Sequence, residues 1–107
     1  MIKDDDAERA VSYLRDSAEK AAAARGNVSL LEQMLKVTKA RLRSMSLAKT
    51  EGAKEDEALS SPEYLEIVKG YQAAVEEDAV YRMKREAAIA RIEAWRSQQA
   101  NIRGMSR

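Results

Sequence analysis

Apolar or small residues recur at positions 11, 14, 18 and 21, and again at 28, 31, 35, 38, 42 and 45. This three-and-four spacing lines one face of an α-helix. It predicts a first helix from about Asp4 to Lys49, opened by Asp4-Asp5-Asp6, which offers an N-cap and negative charge where the helix dipole favours it. Gly26-Asn27 interrupts the pattern, and Ser29 followed by Glu32 has capping-box spacing, so a break into two helices at Gly26 is the alternative. Continuity is preferred. The apolar spacing resumes beyond Gly26 after a three-residue phase shift, and one glycine costs a long helix only about 1 kcal/mol relative to alanine.

The segment from Thr50 to Ser60, TEGAKEDEALS, is polar, acidic and aperiodic, and is expected to form an acidic loop over 50–61 or a frayed helix end. Ser61-Pro62-Glu63 then gives an N-cap, a proline at the first helical position and an acid in the first turn. A second helix starts at Pro62 and runs through Leu65, Val68, Val75, Ala79, Met83, Ile89 and Ile92 to about residue 103, with Gly104 as its stop. Two helices of about 40 residues with a short connection pack as an antiparallel hairpin, a single all-α domain over 1–107. Val11, Leu14, Leu30, Leu31, Met34, Leu35, Val37, Ile67, Val68, Val75, Val80, Met83, Ile89, Ile92 and Trp95 point in more directions than one stripe allows. Other copies of the chain are therefore expected to cover part of this surface, in a homo-oligomer that is either a dimeric four-helix bundle or a ring.

Composition agrees with long helices, because 19 of the 107 residues are alanine and only 4 are glycine and 1 proline. It also narrows the chemistry. Without His or Cys the chain builds no imidazole or thiolate zinc site, no His-activated nucleophile and no disulfide. The cluster Glu76-Glu77-Asp78 lacks the further oxygen ligands that a metal site needs. A non-enzymatic protein without metal or cofactor is the expectation. The N-terminal residues have no apolar core of the signal-peptide kind and no run approaches the roughly 20 apolar residues a bilayer requires, so a cytoplasmic location is expected.

Net charge is +1, yet the charges fall in blocks: −2 over residues 1–35, +5 over 36–50, −7 over 51–81 and +5 over 82–107. Lys36, Lys39, Arg41, Arg43 and Lys49 stand in a window of 15 residues without one acid, as on a polyanion-binding surface. At 100° per residue the seam of the first helix passes through Leu31, Leu35, Thr38, Leu42 and Met45. Lys36 and Arg43 then face solvent, and Lys39 and Arg41 flank the seam on its two sides. In hairpins packed side by side, the Arg41 flank of one copy approaches the Lys39 flank of the next, giving a repeating basic track. Folding about residue 55 sets Tyr71 near Ala40 and Tyr64 near Leu47, which adds stackable rings; cations and rings together suit single-stranded nucleic acid, while ordinary packing is the plainer role for each ring. The C-terminal block, Arg82 to Arg107, lies against the mildly acidic N-terminal residues, where inter-helix or inter-subunit salt bridges account for much of it. Trp95 is expected to be a core or interface anchor.

The run Val37-Thr38-Lys39-Ala40-Arg41-Leu42 resembles the lysine-alanine-arginine-leucine motif of the UvsY-type phage recombination mediators. The layout is similar too: a motif near the end of a long first helix, an acidic connection, and a second helix with a basic tail. The resemblance implies that Lys39 and Arg41 contact single-stranded DNA. It further implies a ring that helps a RecA-like recombinase, or an annealing protein, replace single-strand-binding protein in a phage-infected bacterial cell. Arg43-Ser44-Met45 stands where that family has an acidic residue followed by aromatics, exchanging a base platform for phosphate charge. The DNA-binding candidates are Lys39 and Arg41 first, then Arg43, Lys36 and Tyr71. The alternative is a structural or adaptor coiled coil whose basic block docks an acidic protein.

Overall fold

Three aspartates form the first turn of α1 (Asp4–Met45), and the Ala7 amide donates to the Lys3 carbonyl at 3.2 Å, so the acids act through the helix dipole from inside the helix. The computed structural model describes residues 1–105; Arg107 of the basic block lies outside them. Two further helices follow, α2 (Glu51–Leu59) and α3 (Pro62–Met105), and there is no strand among the described residues. The chain is all-α.

Gly26 does not break α1. The reason lies in the face that is covered, which runs through Ala7, Ala10, Leu14, Ser17, Ala21, Ala24, Val28, Leu31, Leu35, Thr38 and Leu42, all buried or half-buried. This is an unbroken three-and-four repeat, without the phase shift expected at Gly26. Val11 and Ala18 point outward instead, Val11 at 51 % exposure. Small residues carry the N-terminal half of the repeat, where the bulkier ones suggested another phase.

α3 behaves alike. Its covered face passes through Tyr64, Ile67, Tyr71, Ala74, Asp78, Tyr81, Arg85, Ala88, Ile92 and Trp95, again every three and four residues. Of the residues expected to carry this helix inward, Leu65, Val68, Met83 and Ile89 are exposed, and Ile92 lies on the seam. Pro62 opens the helix as its missing N–H allows, with the Leu65 amide donating to the Ser61 carbonyl at 3.1 Å. Gly104 falls inside the helix, which continues to Met105.

The acidic connection is not a loop. Thr50 Oγ1 accepts the Ala53 amide at 3.1 Å, an N-cap followed by Glu51 in the first turn, and these start the nine residues of α2. α1 correspondingly stops at Met45 and not at Lys49, where the Ser44 hydroxyl donates to the Arg41 carbonyl at 2.7 Å.

Two compact units divide the chain, Met1–Ala22 with Ala79–Arg107, and Ala23–Asp78. In the first, Asp4 meets Trp95 and Leu14 meets Arg85; in the second, Arg25 meets Asp78 and Arg41 meets Glu63. Within each unit the α1 and α3 segments thus run antiparallel. The buried apolar residues are small: Ala7, Ala10, Ala24, Ala58, Ala74 and Ala88, with Ser17 and Thr38 beside them. Each such methyl contributes about 0.8 kcal/mol, against 1.5–3 for a fully buried Leu or Ile. Close helix approach is gained at the expense of core volume.

Candidate functional site

The basic stretch of α1 falls in the Ala23–Asp78 unit together with α2 and the start of α3. Helical periodicity puts Lys39 and Arg41 one residue to either side of the seam, since Thr38 is buried and Leu42 half-buried. Each finds a carboxylate on its own flank. Lys39 Nζ lies 2.5 Å from Glu55 Oε1 of α2, and the Arg41 guanidinium is paired with Glu63 of α3. Arg43 Nη2 donates to Glu51 Oε2 at 2.7 Å, and Lys54 lies 3.7 Å from the other oxygen of that carboxylate. Ser46 Oγ donates to Glu57 at 2.6 Å. Lys36 is exposed and makes no ion pair with another described residue.

These contacts shift the acids. The hydrogen bond from Arg43, assisted by the charge of Lys54, holds the Glu51 carboxyl below its ordinary value. Lys39 does the same for Glu55, first by its hydrogen bond and then by its charge. All of these pairs sit at the surface, where an ion pair contributes only about 0–1 kcal/mol. Three of the four basic candidates therefore carry a counter-charge that another anion can displace. The acids escaped notice as site residues, although the signal was there: a block of −7 directly follows the block of +5.

Tyr71 is placed differently from the expectation. A Cβ built on Gly70 would lie 3.9 Å from Leu31 Cδ2, which sets Tyr71 level with the Leu30–Leu31 turn and away from Ala40. The register moves because residues 51–59 form a helix of their own, so α3 folds back earlier along α1 than a turn centred on residue 55 would require. The Tyr71 ring is half-buried on the seam and is not part of the basic surface.

In the other unit Arg85 is the informative member of the C-terminal basic block. It occupies a seam position and donates through Nη1 to the Leu14 carbonyl at 2.8 Å and to Ser17 Oγ at 2.7 Å. These acceptors are neutral oxygens and not the acids expected opposite it. Trp95 anchors the same unit, its indole N–H donating to Asp4 at 2.8 Å. Among the described residues no three acidic groups gather as a metal site, and no helix is long and apolar enough to cross a membrane. Comparison with protein-family models, curated proteins and solved structures finds no match.

Proposed function

We propose that the chain is a non-enzymatic, homo-oligomeric protein, built as one long helical hairpin, that binds single-stranded DNA. In this reading it assists a RecA-like recombinase or annealing protein in replacing single-strand-binding protein. One observation carries it: Lys39, Arg41 and Arg43 are held near the end of α1 by ion pairs to carboxylates at the surface, Arg41 with a further 3.7 Å contact to Met45 Sδ. A phosphate is a comparable acceptor for Lys and a bidentate one for Arg, so a strand can take the place of Glu51, Glu55 and Glu63 at little cost. Release of condensed counterions from the strand supplies the driving force. Lys39 and Arg41 lie on opposite flanks of one α1, so a continuous track needs neighbouring copies, and self-association is part of the reading. Lys36 and Arg43 add charge further from the seam.

Titration of labelled single-stranded and duplex oligonucleotides at two salt concentrations tests it. The expectation is preference for the single strand, an affinity that falls steeply with salt, and at least a tenfold loss with Lys39→Ala plus Arg41→Ala while light scattering finds the same assembly. Unchanged affinity in the double variant removes the site. A second reading, an adaptor that docks an acidic protein, draws on the same ion pairs, because the basic residues already fit carboxylates. It predicts no preference for single strands.

A further inference from the structure

The Ala23–Asp78 unit leaves apolar residues uncovered in two places. On α1, Leu30, Met34 and Val37 are 59 %, 39 % and 66 % exposed. On α3, Leu65 and Val68 are 50 % and 37 % exposed, and half-buried Val75 continues their line. The α1 residues each precede a seam position (Leu31, Leu35, Thr38), whereas the α3 residues each follow one (Tyr64, Ile67, Ala74). Because the two helices run antiparallel here, a residue before the seam on one and a residue after the seam on the other lie on opposite faces of the pair. The ion pairs agree: Arg41, which precedes Leu42, is matched across one flank by Glu63, while Lys39, which follows Thr38, is matched on the other by Glu55.

We infer that these two stripes are the two halves of a head-to-tail contact between copies of this chain, the Leu30–Met34–Val37 stripe of one copy packing on the Leu65–Val68–Val75 stripe of the next. Each stripe has the three-, four- or seven-residue spacing that a partner helix interleaves with, and each is the other's complement. Charge supports the same occupant. On the two long helices Glu63, Glu66 and Glu77 stand on the face of the first stripe and Arg25, Lys36 and Lys39 on that of the second, with Arg41 and Glu32 as the exceptions. The contact brings the mainly acidic side of one copy to the mainly basic side of the next. Unlike surfaces meet, so the contact propagates into a ring if its rotation closes and a filament if it does not. Ala24, Thr38 and Ala74, the buried residues of this unit's seam, are small, and apolar surface remains for a neighbour to cover.

This inference rests on the self-associating part of the function proposed above and is independent of DNA. The test is sedimentation velocity on the full chain, on Val37→Glu, on Val68→Glu, and on the two variants mixed. Both side chains are exposed, so the variants are expected to keep the wild-type helical circular dichroism; Leu30→Ser and Leu65→Ser serve in place of a variant that loses it. The wild type is expected to sediment as a multimer and each variant alone as a 12.0 kDa monomer. Mixed at equal concentration, the variants should form a species of twice that mass, since each retains the half that the other has lost. A wild type that stays monomeric at the highest concentration overturns both this contact and the oligomeric reading. Variants that fail to complement, or one variant that assembles like the wild type, overturn the head-to-tail contact and leave the oligomer standing.

Discussion

The two units are made from the same helices, yet they are held together by different means. In the unit containing the termini, polar groups reach across the seam: Arg85 to Leu14 and Ser17, Trp95 to Asp4, and the Gln98 amide to the backbone of Ile2, donating to its carbonyl at 2.7 Å and accepting its N–H at 2.9 Å. In the Ala23–Asp78 unit the seam is lined mainly by Val28, Leu31, Leu35, Leu42, Ile67 and Tyr71, and the polar contacts are ion pairs at its rim, apart from the seam residue Asp78, which Arg25 reaches at 3.6 Å. Directional hydrogen bonds fix register in the first, where alanines pack with little shape of their own. Apolar volume fixes it in the second, whose rim charges remain free to exchange partners. Under the proposed function, the surface that releases its counter-charges to an anion stands on the seam that does not depend on them.

Leu35→Ala should reveal the largest difference. It removes a half-buried side chain from the apolar seam and is expected to destabilise the chain by about 2–3 kcal/mol in urea unfolding. A loss under about 1 kcal/mol would mean that the seam of this unit is held by something other than apolar packing. Arg85→Ala is its counterpart in the other unit: loss of two charge-assisted hydrogen bonds, with the Ser17 hydroxyl left buried, is expected to cost about 1.5–3 kcal/mol. Arg85→Lys should recover part of that loss. If Arg85→Ala is neutral, the polar description of that unit is wrong.

The smallest effect is the most specific to the rim. Glu51 and Glu55 are lowered in the folded chain by Arg43 and Lys39, so their contribution is present above the ordinary carboxylate range and is lost as pH falls through the lower folded values. Amide resonances of α2 should therefore shift in an acid titration with a midpoint below the usual glutamate range. That transition should vanish in Glu51→Gln plus Glu55→Gln. A midpoint at the ordinary value would show that the rim pairs do not form in solution.

Much of this fold was legible from residue order. Few breakers, alanine abundance and the Ser61-Pro62-Glu63 start fixed an all-α chain with α3 beginning at Pro62, since these are local preferences that need no partner. The seam of α1 from Leu31 to Leu42 was legible as well, and with it the placing of Lys39 and Arg41 on opposite flanks. What misled was size. Val11, Leu65 and Met83 are the conspicuous apolar residues of their segments, but Ala7, Ser17, Ala74 and Arg85 take the seam. Hydrophobicity alone does not say which of two apolar faces a helix will cover when the covered one is mostly alanine.

Residue order by itself determined the two long helices, the alternating blocks of charge and the absence of His and Cys, because each follows from composition or from spacing along one chain. Only the tertiary structure decided which acid meets which base, that Tyr71 stands level with Leu31 and not with Ala40, and that Leu30 and Leu65 end on opposite faces. Those facts depend on the register of two antiparallel helices. Register is set by where the chain turns back, and that was moved by α2, a short helix started by the Thr50 cap in a segment whose composition reads as a loop.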